Sequence, residues 1–303
     1  MNKSTVRLLL ALTLAALASP AWAAGEAKMY VITDWSLGNL GLPGFCGGNN
    51  IGSWDDMVDG WYNGIDDFGI YVKDGRQVDG AFNRSLLCDP DAISGCNDGQ
   101  RLDDADVAMI GLHGSDKNSH WRGSLRHNGS PASTADCTID AAEGSGGEMF
   151  VGDTDLEYLH LSSCNSMDDD NLKQTRRWFQ DPVDSPVNGQ RLHMATGFHG
   201  VMWISSGRAS DYADFAWGGH VLLGSVWMDE MYDWGVNGSY EQCPVAYSVG
   251  PSLNNCLHRL TTESYMNFID PALQTDPTSI NYWCVQFYDG CDPKADDPFN
   301  LPN

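Results

Sequence analysis

Residues 106–114, Asp106-Val107-Ala108-Met109-Ile110-Gly111-Leu112-His113-Gly114, decide how the chain is read. An unbroken apolar run of this length describes a strand buried on both faces, and it stops at a His-Gly pair. A second stretch repeats the plan: Leu156-Glu157-Tyr158-Leu159-His160-Leu161 predicts a strand ending in Ser162-Ser163-Cys164-Asn165-Ser166. Working outward, Met29–Thr33 (ending at Asp34-Trp35), Ile70–Val72 and Arg191–Thr196 (ending in Gly197-Phe198-His199-Gly200) read as further strands. Trp54, Met57, Val58, Trp61, Tyr62, Ile65 and Phe68 recur at helical spacing with Asp on the other face. Leu172, Arg176 and Phe179 mark another helix, and Phe215 to Trp234 reads as one long amphipathic helix. Pro244–Val249 is expected as the last strand, with Lys73–Asp104 and residues 115–150 as loops. Buried strands alternating with helices predict an α/β fold, a three-layer α/β/α sandwich around a mostly parallel sheet. Ligands in such sheets sit at the carboxyl ends of strands, so the residues just after each strand are the ones to inspect.

The 303 residues divide into three expected segments. Residues 1–23 carry a secretory signal pattern: Lys3 and Arg7, the apolar run Leu8–Ala18, and Ala21-Trp22-Ala23 for cleavage near Ala23. Residues 24–250 hold the α/β domain, and 251–303 a disulfide-braced C-terminal extension. The protein is therefore expected to be secreted or periplasmic. A formal net charge of −24 excludes a cationic face for nucleic acid or anionic lipid, and no later stretch has the ~20 apolar residues of a membrane span. All nine cysteines follow the signal, and an odd number leaves one over. Proximity suggests Cys88–Cys96, Cys243–Cys256 and Cys284–Cys291, with Cys46–Cys137 as a longer bridge. Cys164, at the end of an apolar strand rather than in a loop, is the residue left unpaired.

If the two strands neighbour each other in a parallel sheet, His113 and Cys164 emerge at one edge. An imidazole beside a thiol can bias it toward thiolate and later protonate a leaving group. Gly114 lets its backbone N–H approach a reacting carbonyl, and with the N–H of Cys164 it would form an oxyanion hole. Asp34, Trp35, Asn165 and His199 follow strands on the same expected edge and could line the site, with a hydrogen-bonded structural role as the other reading of His199.

A strand ending in His-Gly followed by a later strand ending in a small residue and Cys resembles the caspase, gingipain, clostripain and legumain clan of cysteine peptidases. That resemblance implies an α/β/α caspase-like fold, His113 as general acid/base, Cys164 as nucleophile, Gly114 with Cys164 as the oxyanion hole, and a peptide or protein substrate with no cofactor required. The longer pattern is similar to an exported bacterial caspase-like domain family of uncharacterised function. It comprises the Trp/Asp helix near residue 60, Asp104-Ala105-Asp106, Gly152–Glu157, Gly197-Phe198-His199 and the helix around Trp227, over roughly residues 28–250. The chain departs from caspases in Leu112 before the His and in Ser163-Cys164-Asn165, and no basic pocket for acidic side chains is recognisable, so aspartate specificity does not carry over.

A second reading keeps the fold without catalysis: an exported module whose Trp- and Asp-rich loops bind a protein or glycan. Asp153, Asp155 and Glu157 could hold a structural Ca²⁺, or serve turns and caps. They lie at the amino end of the strand that carries Cys164 at its other end. No Cys/His spacing matches a zinc site.

Overall fold

A computed structural model describes residues 24–67, 69–90, 93–116, 120–127, 137–141, 149, 151–152, 154–171, 175, 178–179, 192–236, 238–266, 277 and 279–299. The expected signal, Phe68, Asp153, Leu172, Arg176 and Arg191 lie outside these residues.

The apolar runs form a mostly parallel central sheet, so the chain is a mixed α/β protein. Its strands are β1 (Gly25–Val31), β2 (Tyr71–Val78), β3 (Val107–Gly111), β7 (Tyr158–Ser162), β8 (Met194–His199), β10 (Tyr240–Gly250) and β11 (Tyr282–Gln286). They lie in the order β2-β1-β3-β7-β8-β10-β11, and the short β9 (Asp233–Val236) pairs antiparallel with the start of β10. The pairs β2–β1, β1–β3, β3–β7 and β7–β8 are parallel, whereas β10 runs antiparallel to both β8 and β11. Every residue of β3, β7 and β8 is buried, as near-continuous hydrophobic strands require.

Helix α1 (Ser53–Gly64) buries Trp54, Met57, Val58, Trp61 and Tyr62. It packs on α2 (Ala209–Gly218), and a Cβ at Gly60 would overlap the Ala209 carbonyl, so that crossing requires a glycine. On the outer face Arg76 of β2 reaches Asp55 at 2.7 Å and Asp59 at 2.9 Å.

Four expectations are corrected. The strand begun at Ile70-Tyr71-Val72 runs on to Val78 through the segment read as loop, because Lys73, Asp74 and Arg76 project their charges from a sheet edge. The single long helix is two, α2 and α3 (Leu223–Met231), separated by a turn at Gly219-His220. Gly218 admits Val226 of the next helix so closely that a Cβ would collide with it. Residues 115–150 are not all loop: β4 (Gly114–Asp116), β5 (Trp121–Ser124) and β6 (Thr138–Asp140) form a small antiparallel sheet. Arg122 and Asp140 form an ion pair across it. Finally, Pro244–Val249 is not the last strand, since β11 follows in the C-terminal segment and completes the sheet edge.

Cys46–Cys137 and Cys88–Cys96 are bridged as expected and Cys164 is free. The expected Cys243–Cys256 and Cys284–Cys291 are corrected to Cys243–Cys291 and Cys256–Cys284. Antiparallel register decides this. Ser248 stands opposite Cys284, and the helix α4 (Leu253–Thr262) lays Cys256 against that pair. The chain beyond β11 returns along β10, with Glu241 N donating to Asp292 O at 2.9 Å, which brings Cys291 to Cys243.

No helix of the described residues is long and apolar enough to cross a membrane.

Candidate active site at the carboxyl edge of β3 and β7

The parallel register of β3 and β7 sets Gly111 opposite Ser162. His113 and Cys164 each lie two residues further on, so they leave neighbouring strands at the same edge. The first step beyond the ladder keeps the register, with Leu112 N donating to Ser162 O at 3.4 Å.

His113 is held by backbone and by aromatic walls. Its Nε2 lies 2.7 Å from the Asn49 carbonyl, which can only accept, so Nε2 carries a hydrogen and Nδ1 is the nitrogen able to take a proton. Its ring centroid is 4.7 Å from that of Trp35 and 4.9 Å from that of Trp54. The loop bearing Asn49 is itself tied down. Asn50 Oδ1 accepts from Trp35 N at 2.7 Å, Ile51 N donates to Thr33 O at 2.9 Å, and Cys46 is bridged to Cys137.

The turn carrying Cys164 is equally fixed. Ser166 Oγ donates to Ser163 O at 2.8 Å and accepts from Phe198 N at 2.9 Å. Asn165 takes a left-handed backbone, φ 57°, and its N–H donates to Gly200 O at 2.7 Å. Ser163 Oγ accepts from Trp121 Nε1 at 3.1 Å, and Trp54 Nε1 donates to Ser162 Oγ at 3.3 Å, so one Trp54 side chain touches both His113 and the Cys strand. The Cys164 thiol is half-buried and its Sγ is 3.8 Å from the Met202 carbonyl. Burial pushes its pKa up, against a smaller lowering by backbone hydrogen bonds from Met202 and from Cys164 itself. At rest the sulfur is therefore a thiol, and no hydrogen bond joins it to His113.

Gly114 lies against this turn. A Cβ there would overlap the Cys164 carbonyl, Ser163 Oγ and Trp121 Nε1. Ser124 N donates to His113 O at 2.7 Å, which makes that pair the hydrogen-bonded one of the β4–β5 ladder. Alternation then makes Gly114–Gly123 the non-bonded pair, leaving the Gly114 N–H turned away from β5.

The other expected lining residues separate. Trp35 touches His113. Asp34 instead accepts from Ser36 N at 2.8 Å and lies 3.6 Å from Arg126 Nη2; the Ser36 hydrogen bonds hold its carboxyl below the usual range. His199 is buried, with Nε2 2.7 Å from Asp297 O, its ring against Phe299 and Nδ1 3.3 Å from Asp168, so it lies behind the Cys164 turn. Asp155 and Glu157 donate their N–H groups to the carbonyls of Asp103 and Asp106, at the far end of β7. Sequence reasoning missed Asn49 and Met202, which act through backbone carbonyls, and placed Trp54 in the core alone. The signal for Asn49 was its position in the Gly- and Asn-rich loop after the first strand, at this same edge.

No curated protein and no solved structure matches the chain. One family model does, over residues 51–257, a span that contains Trp54, His113, Gly114 and Cys164. The chain thus belongs to the family described as a domain of unknown function, DUF6345.

Proposed function

We propose that this protein is an exported cysteine hydrolase of the caspase-like clan, most simply an endopeptidase, with a three-layer caspase-like fold and a His113–Cys164 dyad. The observation that carries the reading is positional. The one thiol outside the four disulfides follows the strand next to the one that ends at an imidazole with a defined proton-accepting nitrogen.

In this reaction Sγ attacks the carbonyl carbon of a peptide while His113 Nδ1 takes the thiol proton, a concerted step suited to a sulfur that rests as thiol. The oxyanion is held by the N–H groups of Gly114 and Cys164. The imidazolium passes its proton to the leaving amine and a thioester remains. Water, deprotonated by His113, then hydrolyses the thioester and restores the thiol.

The test is digestion of unfolded casein by the purified chain, followed by mass spectrometry of the products. Cys164→Ala should lower the rate by ~10³-fold or more while shifting stability by less than about 1 kcal/mol. A second reading, a non-catalytic module binding a protein or glycan, is favoured by one fact: each member of the pair bonds a backbone carbonyl rather than its partner. Cleavage unaffected by Cys164→Ala, or no cleavage at all, would leave that reading standing.

A further inference from the structure

Behind the Cys164 turn lies a cluster that this chemistry does not use. Asp168, His199 and Asp296 each bring one ligand-type atom within 4.8 Å of the others. His199 Nδ1 is 3.3 Å from Asp168 Oδ1 and 3.7 Å from Asp296 Oδ2. Asp168 and His199 are each only 1 % exposed, and the buried His199 Nδ1 and Asp168 Oδ2 face little but one another's group and Asp296. Leaving such atoms unpaired in the interior is costly, so their convergence needs an occupant or a compensating charge.

We propose that Asp168, His199 and Asp296 bind one divalent transition-metal ion of the zinc class. The arrangement around each ligand supports a metal over a simple ion pair. Nε2 of His199 donates to the Asp297 carbonyl, which fixes the tautomer that leaves Nδ1 as a lone pair directed at the carboxylates. Asp168 Oδ1 accepts from Gly200 N at 2.7 Å and Asp296 Oδ1 from Asp297 N at 2.9 Å, the outer hydrogen bonds that orient ligating carboxylates. Ligands about 2.0–2.2 Å from a tetrahedral ion stand roughly 3.3–3.6 Å apart, close to the two spacings seen. Ca²⁺ fits less well, since it asks for ~6–8 oxygens and a nitrogen occupies the centre of this set.

The ion would join three parts of the chain: the turn after Cys164, the end of β8 and the C-terminal segment. Because Gly200 bonds both Asp168 and Asn165, such an ion braces the turn that presents Cys164. The proposal stands whether or not Cys164 is catalytic.

The full chain, stripped with a chelator and dialysed, is titrated with ZnCl₂ by calorimetry and melted with and without it. One zinc per chain and a raised Tm are expected. Asp296→Asn, which keeps the acceptor for Asp297 N and sits in a partly exposed segment, should weaken zinc binding by at least ~10-fold; Cys164→Ala should leave it unchanged. Absence of zinc binding, or wild-type affinity in Asp296→Asn, would overturn the proposal, and so would loss of the site in Cys164→Ala.

Discussion

Two imidazoles on neighbouring parallel strands are treated in opposite ways. His160, in the middle of β7, is fully buried: Nδ1 meets Thr196 Oγ1 at 2.8 Å and Nε2 meets Tyr265 OH at 2.7 Å. Phe215, Trp61 and Trp227 surround its ring, and burial holds its pKa down at about 3. His113, two residues past β3, has one nitrogen on a backbone carbonyl, two tryptophans beside it and a half-exposed setting. A ring with both nitrogens engaged by buried side chains supports the core. A ring anchored on one side only, at the edge where strands end, keeps a nitrogen for chemistry.

The largest effect that could break this contrast is on stability. His160→Ala leaves a cavity among aromatic rings, strands the Thr196 hydroxyl and leaves Tyr265 OH only the Trp61 N–H, so urea unfolding should show a loss of about 3–5 kcal/mol. His113→Ala should cost about 1 kcal/mol. Equal losses would mean that the edge histidine is as structural as the buried one.

A smaller effect reads the buried ring by pH. His160 has a folded pKa of about 3 against roughly 6.5 for an unfolded histidine, so the unfolded chain binds the proton first as pH falls. Its contribution is fully present above pH ~6.5 and is lost progressively down to about 3. Relative to wild type, His160→Asn should flatten the fall of stability between pH 6.5 and 4. Unfolding curves at stepped pH give the slope.

The strands that place these residues were legible because β3 is an unbroken apolar run and β7 departs from one only at His160 and its last residue, Ser162. Adjacency of His113 and Cys164 followed from the rule that parallel strands present their carboxyl ends together. What escaped the sequence depends on partners rather than on local pattern. Tyr282–Gln286 is a short, half-exposed edge strand that only β10 makes recognisable. The crossed bridges Cys243–Cys291 and Cys256–Cys284 follow antiparallel register, while proximity in sequence favours their neighbours. Asn49 and Met202 contribute carbonyl oxygens, which every residue owns, so no residue type could announce them. The metal-type cluster joins Asp168 to Asp296 across the whole C-terminal segment, a distance along the chain that no motif spans.

The measurement closest to the central claim is the pH profile of iodoacetamide labelling of the native protein, read by mass spectrometry. Burial raises the Cys164 pKa, so an unassisted thiol there would react only at alkaline pH. Cys164 alone should be labelled, labelling should persist at pH 7, and His113→Ala should slow it by about tenfold or more. Labelling confined to alkaline pH in the wild type, or one identical profile for wild type and His113→Ala, would contradict it.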